Sequence, residues 1–347
     1  MEIPDLKDKY IAAYEKIVAA DNILLVTHER PDGDALSSLG ALSVFLDKLK
    51  KNQTLFCADQ PPDFFSFLPN FNKIISNKNF QLESFPSSGG AAAPRGRGGS
   101  INFSAFDLII VLDCGSITRT KLVEEIGSRK KNQFVIEFDH HPKIDDYTDL
   151  EIRAEKTSTA EVLYYFFSFN NLEIDKDIAN CLLTGILTDT GNLLFGAVTP
   201  ETIRIASSLL LHGATFPKIT RRTVQNTSLA AVKAWAKILD NLKLNEKYNL
   251  AYSVLTYEEI QSLRQKYGNE NLLDAATDIL NNVDGVKAVI FLREEEPGKI
   301  RGSLRTKDAR VDVSRLAAFL GGGGHPRAAA FRLPGHIIKT ETGWKIE

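Results

Sequence analysis

Three runs of branched apolar residues, NILLVT (22–27), FDLIIVL (106–112) and QFVIEF (133–138), are each followed at once by histidine or acidic side chains: His28, Asp113, and the triplet Asp139, His140 and His141. Runs this apolar, alternating with stretches of helical periodicity, predict the strands of a parallel sheet buried on both faces. The expected class is therefore α/β, a parallel-sheet N-terminal domain with helices on both faces and a smaller α/β domain after it. In sheets of this kind ligands bind in the crevice beyond the carboxyl ends of the strands. That rule puts Asp113, Asp139 and His140 on the same rim as His28, Asp32 and Asp34, the polar residues of VTHERPDGDA (26–35).

Helices are expected on the apolar spacing of 4–20, in ALSSLGALSVFLDKLK after the first strand, in TSTAEVLYYFFSFN, where Ser158 or Thr157 can cap and Glu161 reach back, in KDIANCLLTGILTD, and after Pro200. Phe166, Phe167 and Trp235 fall inside such patterns and read as core. At 347 residues the chain is long enough for two cores. The boundaries predicted are a catalytic domain over 1–215, a helical linker and plausible hinge over 216–245, and a second domain over 246–347. PSSGGAAAPRGRGGS (86–100) lacks the apolar content to bury itself and reads as a mobile surface insertion, with Arg95 and Arg97 as its only charges.

The charge balance, 42 basic against 44 acidic side chains, argues against long duplex as a partner, because gripping many phosphates calls for a basic excess. Neither a signal peptide nor a membrane-length apolar run is evident, so the expected location is the cytoplasm. The three cysteines, Cys57, Cys114 and Cys181, have no metal-binding spacing and read as small core residues.

His28, Asp32, Asp34, Asp113, Asp139, His140, His141 and Asp189 come from four separate segments, yet topology predicts one rim for them. So many acids and histidines would repel and desolvate one another unless cations lay among them. Imidazole and carboxylate donors without cysteine suit a divalent ion such as Mn²⁺, with Mg²⁺, cobalt or iron less well distinguished. The donors are too numerous for one ion, which favours a bridged pair roughly 3.5–4 Å apart. Such a pair supplies hydroxide near neutral pH and offsets charge on a phosphorus centre, so no protein nucleophile is needed.

THERPDGDALSS, VLDCGS, FDHHP, TSTAE, TGILTDTGN and GGGGHPRAA occur in the order in which the chain resembles the DHH phosphoesterase superfamily with its DHH-associated C-terminal domain, most closely the compact oligoribonuclease and 3′-phosphoadenosine 5′-phosphate (pAp) phosphatase group. The resemblance spans residues 27 to about 331. It implies that His28 and Asp32 hold one metal, that Asp34, His140 and Asp189 hold the second, and that Asp113 bridges them. Asp139 would orient a ligand histidine, and His141 would contact the phosphate or donate to the leaving oxygen. Ser37 and Ala330 stand where glycine is frequent in such motifs.

In the second domain, Gly321, Gly322, Gly323 and Gly324 let backbone N–H groups approach an anion. His325, Arg327 and Arg305 add donors. The expected substrates are short single-stranded RNA or small nucleotides, with no long duplex and no membrane as partner and a homodimer left open. The predicted activity is hydrolysis of short oligoribonucleotides to 5′-mononucleotides, with pAp as a second substrate. Rival readings are a soluble cyclic or linear dinucleotide phosphodiesterase, a nucleotide-binding sensor and, less favoured, an inorganic pyrophosphatase. His212 and His336 read as incidental, and REEEPGK (293–299) as a solvated turn.

Overall fold

The computed structural model describes residues 6–76, 102–194, 198–223, 228–268, 273, 280, 283–340 and 343–347. The expected insertion, with Arg95 and Arg97, lies outside them. The chain forms two compact units, Met1–Asn226 and Thr227–Glu347.

The first unit is built on a six-stranded parallel sheet. Its strands are β1 (Asn22–Thr27), β2 (Asn52–Cys57), β3 (Ile74–Ile75), β4 (Leu108–Leu112), β5 (Phe134–Asp139) and β6 (Leu150–Arg153), in spatial order 3-2-1-4-5-6. The chain winds outward in one direction from β1 to β3 and in the other from β4 to β6, so the order reverses between β1 and β4. That is where a crevice opens at the carboxyl ends. Thr27 pairs with Leu112, and Leu112 with Phe138, so the next residues along each strand, His28, Asp113 and Asp139, share one rim.

The two faces of the sheet are covered unequally. One carries the helices α1 (Lys7–Ala19), α2 (Gly33–Lys48), α4 (Thr159–Phe169) and α5 (Lys176–Asp189), which bury Ile23, Leu25, Ile110, Leu112, Ile136 and Phe138. Phe45 of α2 lies edge-on to Phe166 and Phe167 of α4 at 5.9 and 5.6 Å, favourable quadrupole geometry. The opposite face, with Leu24, Val26, Ile109 and Val111, is closed by the short α3 (Val123–Gly127) and by Phe103 and Phe106. Cys57, Cys114 and Cys181 are buried and unpaired by disulfides, as expected.

The stretch 216–245, expected as a linker, divides between the units. Ile219 of α7 (Phe216–Thr223) packs into the first core, and Ile238 of α8 (Leu229–Asp240) into the second. The second unit is a mixed sheet of β7 (Lys243–Asn245), β8 (Leu250–Leu255), β9 (Ala288–Glu296), β10 (Lys299–Arg305), β11 (Gly323–His325) and β12 (Ala328–Pro334), in order 11-12-10-9-8-7. Only β8 and β9 run parallel. The helix Val313–Phe319 covers one face, and α8 with α9 (Tyr257–Tyr267) the other.

Two expectations need correction here. REEEPGK turns between strands only at Pro297 and Gly298: Arg293 to Glu296 belong to β9, Lys299 begins β10, and Glu294 is buried. His336 is not incidental. Its Nδ1 lies 2.8 Å from Glu294 Oε1 while Ile337 N donates to Oε2, so the pair fastens the hairpin of β13 (Ile337–Thr340) and β14 (Gly343–Ile346) to the sheet. The error was to judge charge by sequence neighbours, when Glu294 and His336 meet only through the fold. His212 ends α6 (Pro200–Leu211), with Nδ1 2.8 Å from the Ser208 carbonyl. The described helices include none long and apolar enough to cross a membrane.

Candidate metal centre

The segment leaving β1 turns directly into α2. Asp32 is the N-cap of that helix, its carboxylate accepting from Ala35 N at 3.1 Å, and its side chain keeps 58% exposure. Asp34, in the first turn of the helix, is buried. Both its oxygens meet the N-terminus of α4: Thr159 N donates to Oδ2 at 2.5 Å and Ala160 N to Oδ1 at 2.9 Å. Two first-turn N–H groups and a helix dipole favour a carboxylate there. Ser158 is the cap of α4, as expected, while Glu161 reaches back to Thr157, whose hydroxyl donates at 2.6 Å.

This approach of α5 to α2 requires glycine. A methyl on Gly185 would stand 2.5 Å from Asp34 Oδ1 and 2.6 Å from both Ala160 Cβ and Ser37 Oγ. Ser37, the departure from the usual motif, lies in that helix contact, its hydroxyl bonded to the Asp34 carbonyl at 3.2 Å.

Asp113 ends β4 in the left-handed region at φ 62°, a conformation that a non-glycine residue holds only where its surroundings over-determine it. The turn aims its two oxygens in different directions. Oδ2 lies 3.7 Å from His28 Nε2, and Oδ1 lies 3.5 Å from His140 Nε2 and accepts the Thr159 hydroxyl at 2.8 Å. Around it stand two groups whose donor atoms lie within 4.8 Å of one another, His28 with Asp32 and Asp113, and Asp34 with His140 and Asp189; a third joins Asp113, His140 and His141. All six residues expected as metal ligands are thus brought together.

The histidine tautomers are set by the backbone. His28 Nδ1 lies 2.7 Å from the Glu29 carbonyl, and His140 Nδ1 3.1 Å from the Lys156 carbonyl. A carbonyl can only accept, so each Nδ1 carries the proton, and a neutral ring presents a lone pair at Nε2. That lone pair faces carboxylates. His28 Nε2 is buried without a hydrogen-bond partner, with Asp32 and Asp113 oxygens both at 3.7 Å. His140 Nε2 has Asp189 Oδ2 at 3.4 Å. These spacings resemble those of donors sharing one ion, each about 2.1 Å from it. Acceptors facing acceptors at this range fit a cation.

The electrostatics point the same way. Burial, with the charges of Asp113 and Asp189, holds Asp34 well above the usual carboxylate range. Burial, with Asp32 and Asp113, does the same to Asp189, although its side chain is 30% exposed. For Asp113, burial is outweighed by the His28 contact and the charges of His140, His28 and His141, which lower it. His28 and His140 are raised despite burial, by Asp113 and Asp32 in one case and by Asp113 and Asp34 in the other.

The histidine that Asp139 holds is His141, a member of the third group. Its Oδ1 is 2.9 Å from His141 Nδ1 and accepts His141 N at 2.8 Å, and its Oδ2 accepts Gly115 N at 2.6 Å. The contact with His141 and the Arg153 charge hold Asp139 far below its ordinary value against burial. Arg153, which no sequence signal marked, donates to the His141 carbonyl at 2.7 Å and to buried Glu137 at 2.6 Å. Thr159 was visible as part of a helix start, and the affinity of helix N-termini for anions could have disclosed its role.

In the second unit, three of the four glycines have structural reasons of their own. Gly321, at φ 76°, and Gly322 close the helix Val313–Phe319 by bonds to the Ala318 and Ala317 carbonyls, a Schellman ending. Side chains on Gly322 or Gly324 would run into the β12 backbone, whereas Gly323 has open space. His325 and Arg327 are exposed, the latter bonded to the Lys307 carbonyl at 2.7 Å. Arg305 ends β10, with Nη1 3.1 Å from the Leu304 carbonyl.

A twofold-wound sheet with an acid and histidine rim at its switch point, followed by a mixed-sheet unit, defines a class. Residues 22–186 match the DHH family N-terminal domain and residues 247–341 the DHHA1 domain, and the chain belongs to the DHH phosphoesterases, which are hydrolases. Similar proteins include the bifunctional oligoribonuclease and PAP phosphatase NrnA of Thermus thermophilus, 29% identical over 90% of this chain and 84% of that one. The protein of the same name from Bacillus subtilis is 26% identical over 89% and 88%. The crystal structure of an exopolyphosphatase-related protein from Bacteroides fragilis superposes with a TM-score of 0.79 at 26% identity, covering 94% of this chain and 91% of that one.

Proposed function

We propose that the protein hydrolyses short oligoribonucleotides to 5′-mononucleotides, and pAp to AMP, with two divalent ions, Mn²⁺ by preference. His28, Asp32 and Asp113 would hold one ion, and Asp34, His140 and Asp189 the other, with Asp113 shared. The observation carrying this reading is the split aim of the two Asp113 oxygens toward two histidines whose Nδ1 atoms are committed to backbone carbonyls. Bound ions would supply hydroxide near neutral pH and screen the charge of the phosphate.

The chain's own residues do the rest. Thr159 and the first turn of α4 hold Asp113 and Asp34 in place. Asp139 fixes His141 through Nδ1, so the ring can carry a proton at Nε2 and pass it to the leaving oxygen, with Arg153 holding the His141 carbonyl. Arg305, Gly322, Gly323, Gly324, His325 and Arg327 are the proposed contacts for the rest of a short substrate. The names of the relatives support the substrate class.

The test is a panel of a labelled 2–5mer, a 24mer, pAp and cyclic di-adenylate with Mn²⁺. Release of 5′-mononucleotides from the short RNA is expected. Preference for the 24mer, or turnover of cyclic di-adenylate alone, overturns the substrate assignment.

A further inference from the structure

One cation near the rim has no carboxylate within ion-pair distance among the described residues. Arg119 lies in the short 3-10 turn Ile117–Thr120 that follows β4. Its carbonyl accepts Glu29 N at 2.7 Å, which ties the turn to the segment carrying His28. Lys121 reinforces the tie through an ion pair with Glu29 at 3.0 Å. The half-buried guanidinium makes a single hydrogen bond, from Nη1 to the Cys114 carbonyl at 3.1 Å, and among the described residues no carboxylate pairs with it. Nη1 stands 3.7 Å from the point where a Gly115 side chain would begin, and the Cβ and Cγ of His141 stand 3.5 Å from the same point. The guanidinium and the His141 side chain thus both border Gly115.

An arginine has five N–H donors, of which one is used here by a backbone carbonyl. Among the described residues no carboxylate lies within ion-pair distance of this half-buried cation, and only the Cys114 carbonyl takes one of its N–H groups. Its planar fork suits an incoming phosphate, which accepts two parallel N–H bonds. We infer that Arg119 is a phosphate-binding residue of the site: the bond to Cys114 orients the guanidinium, and the remaining N–H groups receive a non-bridging oxygen of the substrate phosphate beside His141. This rests on the phosphoesterase reading above, and it names a contact supplied by the first unit.

The test is calorimetric titration of the full-length, Mn²⁺-loaded protein with AMP and, separately, with adenosine, on the wild type and on Arg119→Ala, Arg119→Gln and Arg119→Lys. Mn²⁺ content is measured on every sample. The expected result is a ~10- to 100-fold weakening of AMP binding in the Ala and Gln variants, the size of a lost charge-assisted contact. Adenosine binding and Mn²⁺ content stay unchanged, and Lys recovers part of the loss. Should Ala fail to fold, Gln, which can keep a bond to Cys114 but has no charge, is compared with Lys. AMP affinity within twofold of wild type in the Gln variant overturns the assignment, as does an equal loss for AMP and adenosine, or loss of Mn²⁺. Because binding is read without turnover, a wild type that binds AMP but leaves short RNA intact refutes the substrate proposal while leaving Arg119 standing.

Discussion

Asp189→Asn should make the metal-free protein more stable while weakening its hold on metal. Donor atoms of Asp189 and Asp34 lie within 4.8 Å of each other. Two unit negative charges at that distance repel by about 3 kcal/mol at an effective dielectric of about 20. Part of this is relieved when one carboxyl keeps a proton, which the raised pKa values of both groups express. Asn keeps the shape and removes the charge, and among the described residues Asp189 makes no hydrogen bond that the change would break. It does lose the approach to His140 Nε2 at 3.4 Å, so the comparison belongs at about pH 8.5, where that ring holds its proton less. The net gain expected in EDTA is about 1–2 kcal/mol, or roughly 2–8 °C in melting temperature for a unit of this size. With Mn²⁺ the order should reverse, since binding stabilises the wild type by mass action and the variant has lost a ligand. Scanning calorimetry of both proteins, with EDTA and with Mn²⁺, measures this. A metal-free variant no more stable than the wild type would refute the claim that these carboxylates are crowded to receive a cation.

The same crowding sets a pH dependence. Asp34 and Asp189 titrate well above the ordinary 3.8 when folded, and His28 and His140 above 6.5, so above about pH 6, where ordinary carboxylates are ionised in both states, these four groups bind more protons in the folded protein than in the unfolded chain. Metal-free stability should fall as pH rises from about 6 through neutrality, and added Mn²⁺ should flatten or invert the slope in melts across that range; a metal-free protein that gains stability over the interval would contradict it. Arg153→Met strands buried Glu137 and should cost about 3–5 kcal/mol in urea unfolding. Thr159→Val keeps the volume but removes the donor to Asp113, and should lower kcat roughly tenfold or more with little change in KM. Gly185→Ala forces a methyl against Asp34 and Ala160, and should cost about 1–3 kcal/mol in urea unfolding and weaken Mn²⁺ binding in a calorimetric titration with the metal.

Much of this centre was legible before any coordinates, because its residues sit where strand periodicity stops. His28, Asp113, Asp139 and His140 directly follow or end β1, β4 and β5, so a rule about parallel sheets was enough to gather them. What escaped depends on side-chain reach and backbone angle. Arg153 acts through a carbonyl, the role proposed for Arg119 depends on where its side chain reaches, and the left-handed turn of Asp113 carries no mark in the residue itself. The Glu294 and His336 pair was misread because residues 42 apart become neighbours only when β9 and β13 meet. The glycine run GGGG, between a helical stretch and His325, suggested an anion pocket, and helix closure and contact with β12 give Gly321, Gly322 and Gly324 structural reasons as well.

Anomalous diffraction at the manganese edge, from crystals grown at saturating Mn²⁺, tests the whole account most directly. It should show two peaks per chain, one among His28, Asp32 and Asp113 and one among Asp34, His140 and Asp189, with Asp113 touching both. A single peak, or two peaks that do not share Asp113, would contradict it.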